Sequence, residues 1–106
     1  MTAAANSNQR GVTATRYIAV HWHHSSPKYP VELFSELDDA SWERRKVELY
    51  ADGHSDYADA SESTGTTALG LAPVPPLDEI AADAQFTPRE ITRDEFEAVW
   101  QNRKNQ

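Results

Sequence analysis

The sequence contains no cysteine, only four glycines and no long hydrophobic run. The lack of cysteine excludes disulfide bonds, thiolate metal ligands and cysteine nucleophiles, and it fits a cytoplasmic location. No apolar stretch approaches the roughly 20 residues that a membrane-spanning helix needs, so we expect no membrane association. The start of the chain lacks the apolar segment of a secretory signal. We predict a disordered N-terminal tail over residues 1–15 and one α+β domain over residues 16–104.

Acidic residues outnumber basic residues by 17 to 10, which gives a formal net charge of −7. Residues 1–30 contain three bases and no acid, so residues 31–106 carry a formal charge of −10. Such a domain repels nucleic-acid phosphates and attracts basic partners, although an acidic surface also simply favours solubility. We therefore expect a protein partner rather than nucleic acid.

The clearest structural signal is the stretch WERRKVELYADGHSDY at residues 42–57. Asp52-Gly53 favours the positive φ angles of a tight turn, and the preceding residues alternate as in a strand, which predicts a β-hairpin. Residues 17–23 and 31–37 also alternate, and residues 54–58 form the return strand. Four strands with short connections predict an antiparallel meander.

Two C-terminal helices are also predicted. Pro76 suits the first turn of a short helix, and the acidic residues that follow favour its N-terminal end. The second helix has stronger signals, because Thr92 and Glu95 form a capping box. Ile91 and Phe96 stand at the positions of a hydrophobic staple around the same start.

The apolar faces of the helices need a matching surface on the sheet. Strand alternation assigns that surface to Ile18, Val20, Trp22, Leu33, Leu37, Val47 and Leu49. The expected fold is therefore an α+β domain of about four antiparallel strands with both helices packed on one face.

The opposite face of the sheet is the predicted binding surface. It would hold Tyr17, His21, His23, Phe34, Glu36, Trp42, Arg44, Lys46, Glu48 and Tyr50. Aromatic rings interleaved with charges suit protein recognition, although cross-strand pairs of this kind can also simply stabilise an exposed sheet. The assignment depends on the register, since a shift of one residue moves every side chain to the other face.

The run His21-Trp22-His23-His24 suggests metal or ligand binding, because His21 and His23 point to the same side of a strand. A third ligand could come from Glu36 or His54. Two histidines without a recognisable third ligand are not a complete site, so we predict no metal and no cofactor. No motif identifies a catalytic residue, and a non-enzymatic role is favoured.

Five stretches together resemble a family of small bacterial domains of unknown function. They are RYIAVHWHH, PVELFSELDD, WERRKVELYADG, APVPPLDEIA and FTPREITRDEFEAVW, and they span residues 16–100. The resemblance implies one coherent fold and a bacterial origin. It implies no activity, cofactor or catalytic residue.

The leading functional hypothesis is a small acidic protein-interaction module, such as an immunity- or antitoxin-type inhibitor that covers a basic partner. The alternative is a small-ligand or metal-binding protein, or a weak enzyme, that uses His21 and His23. A structural accessory domain is the third interpretation. A homodimer through the open face is a further option, because such a face can be buried isologously.

Overall fold

The computed structural model describes residues 15–105, which contain five strands, two α-helices and one 3-10 helix. In chain order the elements are β1 (Arg16–Trp22), β2 (Glu32–Leu37), β3 (Glu43–Leu49), β4 (Ser55–Ala58), α1 (Leu77–Ala81), β5 (Phe86–Ile91), α2 (Arg93–Gln101) and the 3-10 helix Arg103–Asn105. The predicted tail lies outside the described residues, apart from Thr15. No helix within residues 15–105 is long and apolar enough to cross a membrane.

The five strands form one antiparallel sheet in the order β4-β3-β2-β1-β5. The first four strands are the predicted meander, and the predicted α+β class is confirmed. The fifth strand, β5, is not among the four strands that the sequence predicts. It pairs with β1 because residues 59–85, which we call the crossover segment, carry the chain from the β4 edge to the opposite edge.

The two helices lie on opposite faces of the sheet, so the prediction that both pack on one face is wrong. Phe96 of α2 is fully buried against Ala19, Phe34 and Val47, so we call this side the α2 face. On the other side, the crossover face, Ile80 of α1 lines a cavity together with residues of β1 and β2. Both faces of the sheet are therefore covered in part.

The predicted β3–β4 hairpin forms around Asp52-Gly53, but of these two residues only Gly53 has a positive φ angle. Gly53 has a φ of +96°, and its N–H donates a hydrogen bond of 2.9 Å to the carbonyl of Tyr50. The Tyr50 N–H in turn donates to the carbonyl of His54 at 2.9 Å. Glycine adopts this φ angle without the steric cost that other residues incur.

A register shift interrupts the pairing of β2 with β3. Glu36 pairs with Arg45, but the next residue, Leu37, pairs with Glu43, so Arg44 is an extra residue on β3. Such a bulge locally breaks the alternation of side chains. It turns the Glu43 side chain to the crossover face, where its carboxylate lies 3.2 Å from the Lys46 ammonium.

The predicted start of α2 is confirmed in detail. The Glu95 N–H donates to the Thr92 hydroxyl at 3.1 Å, and the Thr92 N–H donates to the Glu95 carboxylate at 2.8 Å. Ile91 and Phe96 flank this capping box, and both belong to the buried core. The α1 helix has no side-chain cap at Pro76, which fits its length of five residues.

Candidate functional site

The predicted open face does not exist as one surface, because its residues lie on both sides of the sheet. Phe34 pairs with Val47, so Arg45, Val47 and Leu49 of β3 share a face with the even-numbered residues of β2. Tyr17, His21, His23, Phe34 and Glu36 lie on the α2 face, Lys46 and Glu48 lie on the crossover face, and Trp42, Arg44 and Tyr50 lie at the ends or the bulge of β3. The prediction of a single aromatic and charged surface is therefore wrong.

Three of the aromatic residues that were predicted to bind a partner instead pack within the fold. Phe34 and Tyr50 are each only 8 % exposed, and Tyr17 packs against Phe96 with ring centroids 5.4 Å apart. Burial raises the pKa of both Tyr17 and Tyr50, and nearby carboxylates add to the effect. Glu36 is also engaged, because both of its oxygens accept hydrogen bonds of 2.8 Å from Arg45.

Two of the predicted site residues, His21 and His23, stay accessible on the α2 face within a polar group. We call it the histidine patch and define it by His21, His23, Glu32, Thr87 and Arg89. Thr87, His21 and Glu32 lie side by side on β5, β1 and β2. The His21 Nδ1 lies 2.9 Å from Glu32, whose other oxygen lies 3.4 Å from Arg89. The His23 Nε2 lies 2.7 Å from the Thr87 hydroxyl.

The two histidines of this patch are close neighbours. Their ring centroids are 4.4 Å apart at an angle of 63°. A carboxylate only accepts hydrogen bonds, so His21 Nδ1 is the donor to Glu32 and Nε2 is the unprotonated nitrogen of the neutral ring. Neither His21 Nε2 nor His23 Nδ1 has a hydrogen-bond partner within residues 15–105. The patch therefore presents two imidazole nitrogens on one side of β1.

The third ligands suggested by the sequence do not join the patch. Glu36 is bound to Arg45, and His54 stacks on Tyr50 at 4.2 Å while its Nδ1 contacts Asp52. In the part of the chain that the structure describes, no group of three histidine, aspartate or glutamate side chains is arranged to hold a metal ion.

A second candidate site lies at the β2–β3 connection. We call it the Trp42–Leu71 surface and define it by Asp39, Trp42 and Leu71. Trp42 is 39 % exposed and Leu71 is 96 % exposed, and large apolar side chains that are exposed together can mark a site of protein contact. Two hydrogen bonds hold the segment around Leu71 against the start of β3. Gly70 N–H donates to Glu43 at 2.7 Å, and Val74 N–H donates to the Ser41 carbonyl at 2.8 Å.

The turn that presents Trp42 is held firmly. One oxygen of Asp38 accepts from the N–H groups of Ala40 and Trp42 at 2.9 and 3.0 Å. The hydrogen bond from the Trp42 backbone is the main cause that lowers the pKa of Asp38. Within residues 15–105, Ser41 is the only non-glycine residue with a positive φ, at +67°. Strained residues of this kind occur at functional sites when the surrounding structure holds them in place.

A cavity of about 150 Å³ lies between the sheet and the crossover segment. Its lining is mostly apolar and includes Val20, Leu33 and Phe86. Its polar groups are engaged with protein atoms, because the Ser35 hydroxyl donates to Glu43 at 3.0 Å. The cavity can hold only a small apolar group, and we assign it no function.

Sequence reasoning identified the histidines and Trp42 but missed Glu32, Thr87, Arg89 and Leu71. Glu32 and Thr87 become neighbours of His21 only through pairing of β1 with β2 and β5. The sequence separation of β1 and β5 hides the second of these contacts. A signal did exist for Leu71, since a large apolar residue stands in a segment rich in glycine and proline.

Comparison with known proteins gives one match. A family model described as "Domain of unknown function (DUF6881)" matches residues 16–105. No curated protein and no solved structure matches the chain significantly.

Proposed function

The chain belongs to the family described as Domain of unknown function (DUF6881), and we propose that it is a small acidic protein-interaction module. Its partner in this proposal is a basic protein that binds at the Trp42–Leu71 surface. The observation that carries the proposal is the exposure of two large apolar side chains on segments that hydrogen bonds hold in place.

The geometry supports a preformed contact. Tryptophan is enriched among the few residues that supply most of the energy of an interface, and Leu71 adds apolar area beside the same connection. The hydrogen bonds of Gly70 and Val74 fix the chain on both sides of Leu71. A preformed surface loses less conformational entropy on binding than a mobile one, which favours affinity.

The charge supports a basic partner. The protein carries a formal net charge of −7, and Asp39, in the same β2–β3 connection as Trp42, is exposed and has no ion pair within the described residues. Opposite charge on a partner speeds association, and the effect weakens as salt screens the charges. An immunity- or antitoxin-type inhibitor in the cytoplasm of a bacterium is the more specific form of this proposal.

The test is affinity capture from the source organism with the wild-type protein and with a Trp42→Ala/Leu71→Ser variant. We expect the wild type to enrich one basic protein at low salt and the variant to lose it. With the purified partner, each single substitution should weaken binding by at least about tenfold, the size expected for residues that anchor an interface.

Tyr29→Ser is the matched control. Tyr29 is another exposed aromatic residue, 51 % accessible, but it lies in the β1–β2 connection at the other end of β2. It should leave capture unchanged. Recovery of no partner at low salt, or equal capture by the Trp42→Ala/Leu71→Ser variant, would contradict the proposal once circular dichroism shows that each variant is folded.

A further inference from the structure

We propose that His21 and His23 form a binding site for a divalent transition-metal ion on the α2 face. The ion would be coordinated by Nε2 of His21 and Nδ1 of His23, and water would complete its coordination. This inference is separate from the proposed protein interaction, because the histidine patch and the Trp42–Leu71 surface share no residue.

The hydrogen bonds around the two rings carry the inference. Histidines that bind metals nearly always donate their other ring N–H to a carboxylate or another acceptor, which fixes the tautomer and orients the ring. His21 donates to Glu32 at 2.9 Å, and His23 Nε2 lies 2.7 Å from the Thr87 hydroxyl. Glu32 accepts from His21, and the Thr87 hydroxyl is able to accept from His23 Nε2–H. In this arrangement Nε2 of His21 and Nδ1 of His23 have no described partner.

The spacing of the two rings is also suitable. His21 and His23 are two residues apart on β1, so their side chains leave the same face. Their ring centroids are 4.4 Å apart. Metal–nitrogen bonds are about 2.0–2.1 Å long, so two imidazoles on one ion have donor nitrogens within about 4 Å of each other, which rings this close together permit.

The other two histidines do not have this arrangement. His24 uses both nitrogens, since Nε2 lies 2.8 Å from the Pro30 carbonyl and Nδ1 accepts from the Ser26 N–H at 3.0 Å. His54 has a carboxylate neighbour, Asp52, but no second histidine beside it. His54 is therefore a suitable internal control.

The chemistry of the donors indicates which ions the site would take. Neutral imidazole suits Zn²⁺, Cu²⁺ and Ni²⁺, whereas Mg²⁺ and Ca²⁺ prefer oxygen ligands. Two nitrogen ligands should bind Ni²⁺ more tightly than Co²⁺ and Cu²⁺ more tightly than Ni²⁺. Protonation of the imidazoles removes the ligands, so affinity should fall in acid.

The experiment is a calorimetric titration of the full chain with Ni²⁺ alone, with Mg²⁺ as the comparison ion. We expect one Ni²⁺ per chain and no binding of Mg²⁺. His21→Asn and His23→Asn should each weaken Ni²⁺ binding at least tenfold, while His54→Asn should leave it unchanged. Nuclear magnetic resonance should show that paramagnetic Ni²⁺ broadens the ring signals of His21 and His23 before those of His24 and His54.

Glu32 has a positioning role that can be tested separately. Glu32→Ala should weaken Ni²⁺ binding about tenfold, the usual lower range for loss of such an acceptor. Glu32→Gln should restore part of the affinity, because the amide oxygen still accepts the His21 Nδ1–H. Absence of saturable Ni²⁺ binding, or equal losses in the His54 and His21 variants, overturns the proposal. Circular dichroism before titration identifies any variant that has lost its fold.

Discussion

Arg45 is the side chain that ties α2 to the sheet. It binds Glu36 on β2 and Glu97 on α2, and its guanidinium lies 4.9 Å from the centroid of the Phe96 ring. The side chain is only 20 % exposed, so its charge is shielded from water. These hydrogen bonds raise the pKa of Arg45, and the bond from Arg45 is the main cause that lowers the pKa of Glu97.

We predict that Arg45→Met destabilises the protein by about 2–4 kcal/mol, because it leaves two partly buried carboxylates without their partner. Arg44→Met is the matched control. Arg44 is 65 % exposed and, within residues 15–105, forms an ion pair only with Asp38, so its loss should cost at most about 1 kcal/mol. Urea denaturation of both variants measures the difference. Equal effects would show that the Arg45 network contributes little to stability.

Gly65 lies in the loop after β4 with a φ of +57°, close to the carboxylate of Asp56. A Cβ at this position would lie 2.5 Å from an Asp56 oxygen, and the other oxygen accepts a hydrogen bond from Thr64. The left-handed backbone alone costs alanine about 1–2 kcal/mol. The contact with Asp56 should add to this cost.

We therefore predict that Gly65→Ala destabilises the protein more in the wild type than in an Asp56→Ala background. The difference should be at least about 0.5 kcal/mol, as expected for residues in direct contact. Chemical denaturation of the two single variants and the double variant measures it. Additive effects would mean that Asp56 moves aside without cost.

The outer edge of β5 is arranged so that a strand of another chain pairs with it poorly. The His23 N–H donates to the Gln85 carbonyl, whereas the Trp22 N–H donates to Val31 on the other side. Odd-numbered residues of β1 thus bond to the odd-numbered residues opposite them on β5. Pro88 then has its backbone nitrogen at the outer edge, where proline offers no donor to another strand.

We predict that Pro88→Val increases self-association, because it adds an N–H donor and a strand-forming residue to the exposed edge. Light scattering at equal protein concentration measures the effect. Thr87→Val is the control, since the Thr87 backbone faces β1 and cannot offer its N–H to another chain. Similar association of both variants would argue against the edge as the cause.

Local signals in the sequence predicted individual elements well. The Asp52-Gly53 turn, the alternation of the first four strands and the capping box of Thr92 and Glu95 are all present in the structure. Each depends on residues that are near one another in the chain, so the sequence displays it directly. The pairing of β5 with β1 depends on residues far apart in the chain and left no local pattern.

The faces of the sheet could not be predicted because both are partly buried. On β1, Ile18 faces the crossover segment and Ala19 faces α2, and both are almost completely buried. In a strand that is covered on both faces, polar and apolar residues do not alternate, so the sequence does not show which face meets solvent. The bulge at Arg44 then moved Glu43 to the crossover face. The predicted binding residues were divided between two faces because Val47 and Leu49 share the α2 face with Phe34, which places Lys46 and Glu48 on the crossover face.

At the scale of the whole molecule, acidic residues set how stability depends on pH. Hydrogen bonds are the main cause that lowers the pKa of Asp38, Asp52, Asp59 and Glu97 below their ordinary values. A lowered pKa in the folded state means that the unfolded chain takes up protons first as the pH falls. The stabilisation is present above the ordinary values of 3.8 for aspartate and 4.5 for glutamate, and it is lost as the pH falls through the folded-state values.

We predict that the free energy of unfolding declines below about pH 4.5 and that Glu97→Gln makes this decline shallower, since it removes one group with a lowered pKa. Glu90→Gln is the control, because Glu90 is exposed and has no ion pair within the described residues. The free energy of unfolding of Glu90→Gln should decline at low pH in the same way as that of the wild type. The measurements need dilute protein, because the net charge crosses zero near the pI of about 4.9 and association then competes with unfolding. If Glu97→Gln and the wild type lose stability in parallel, protonation of Glu97 does not contribute to acid unfolding, and the bond from Arg45 does not favour the ionised form of Glu97 as argued.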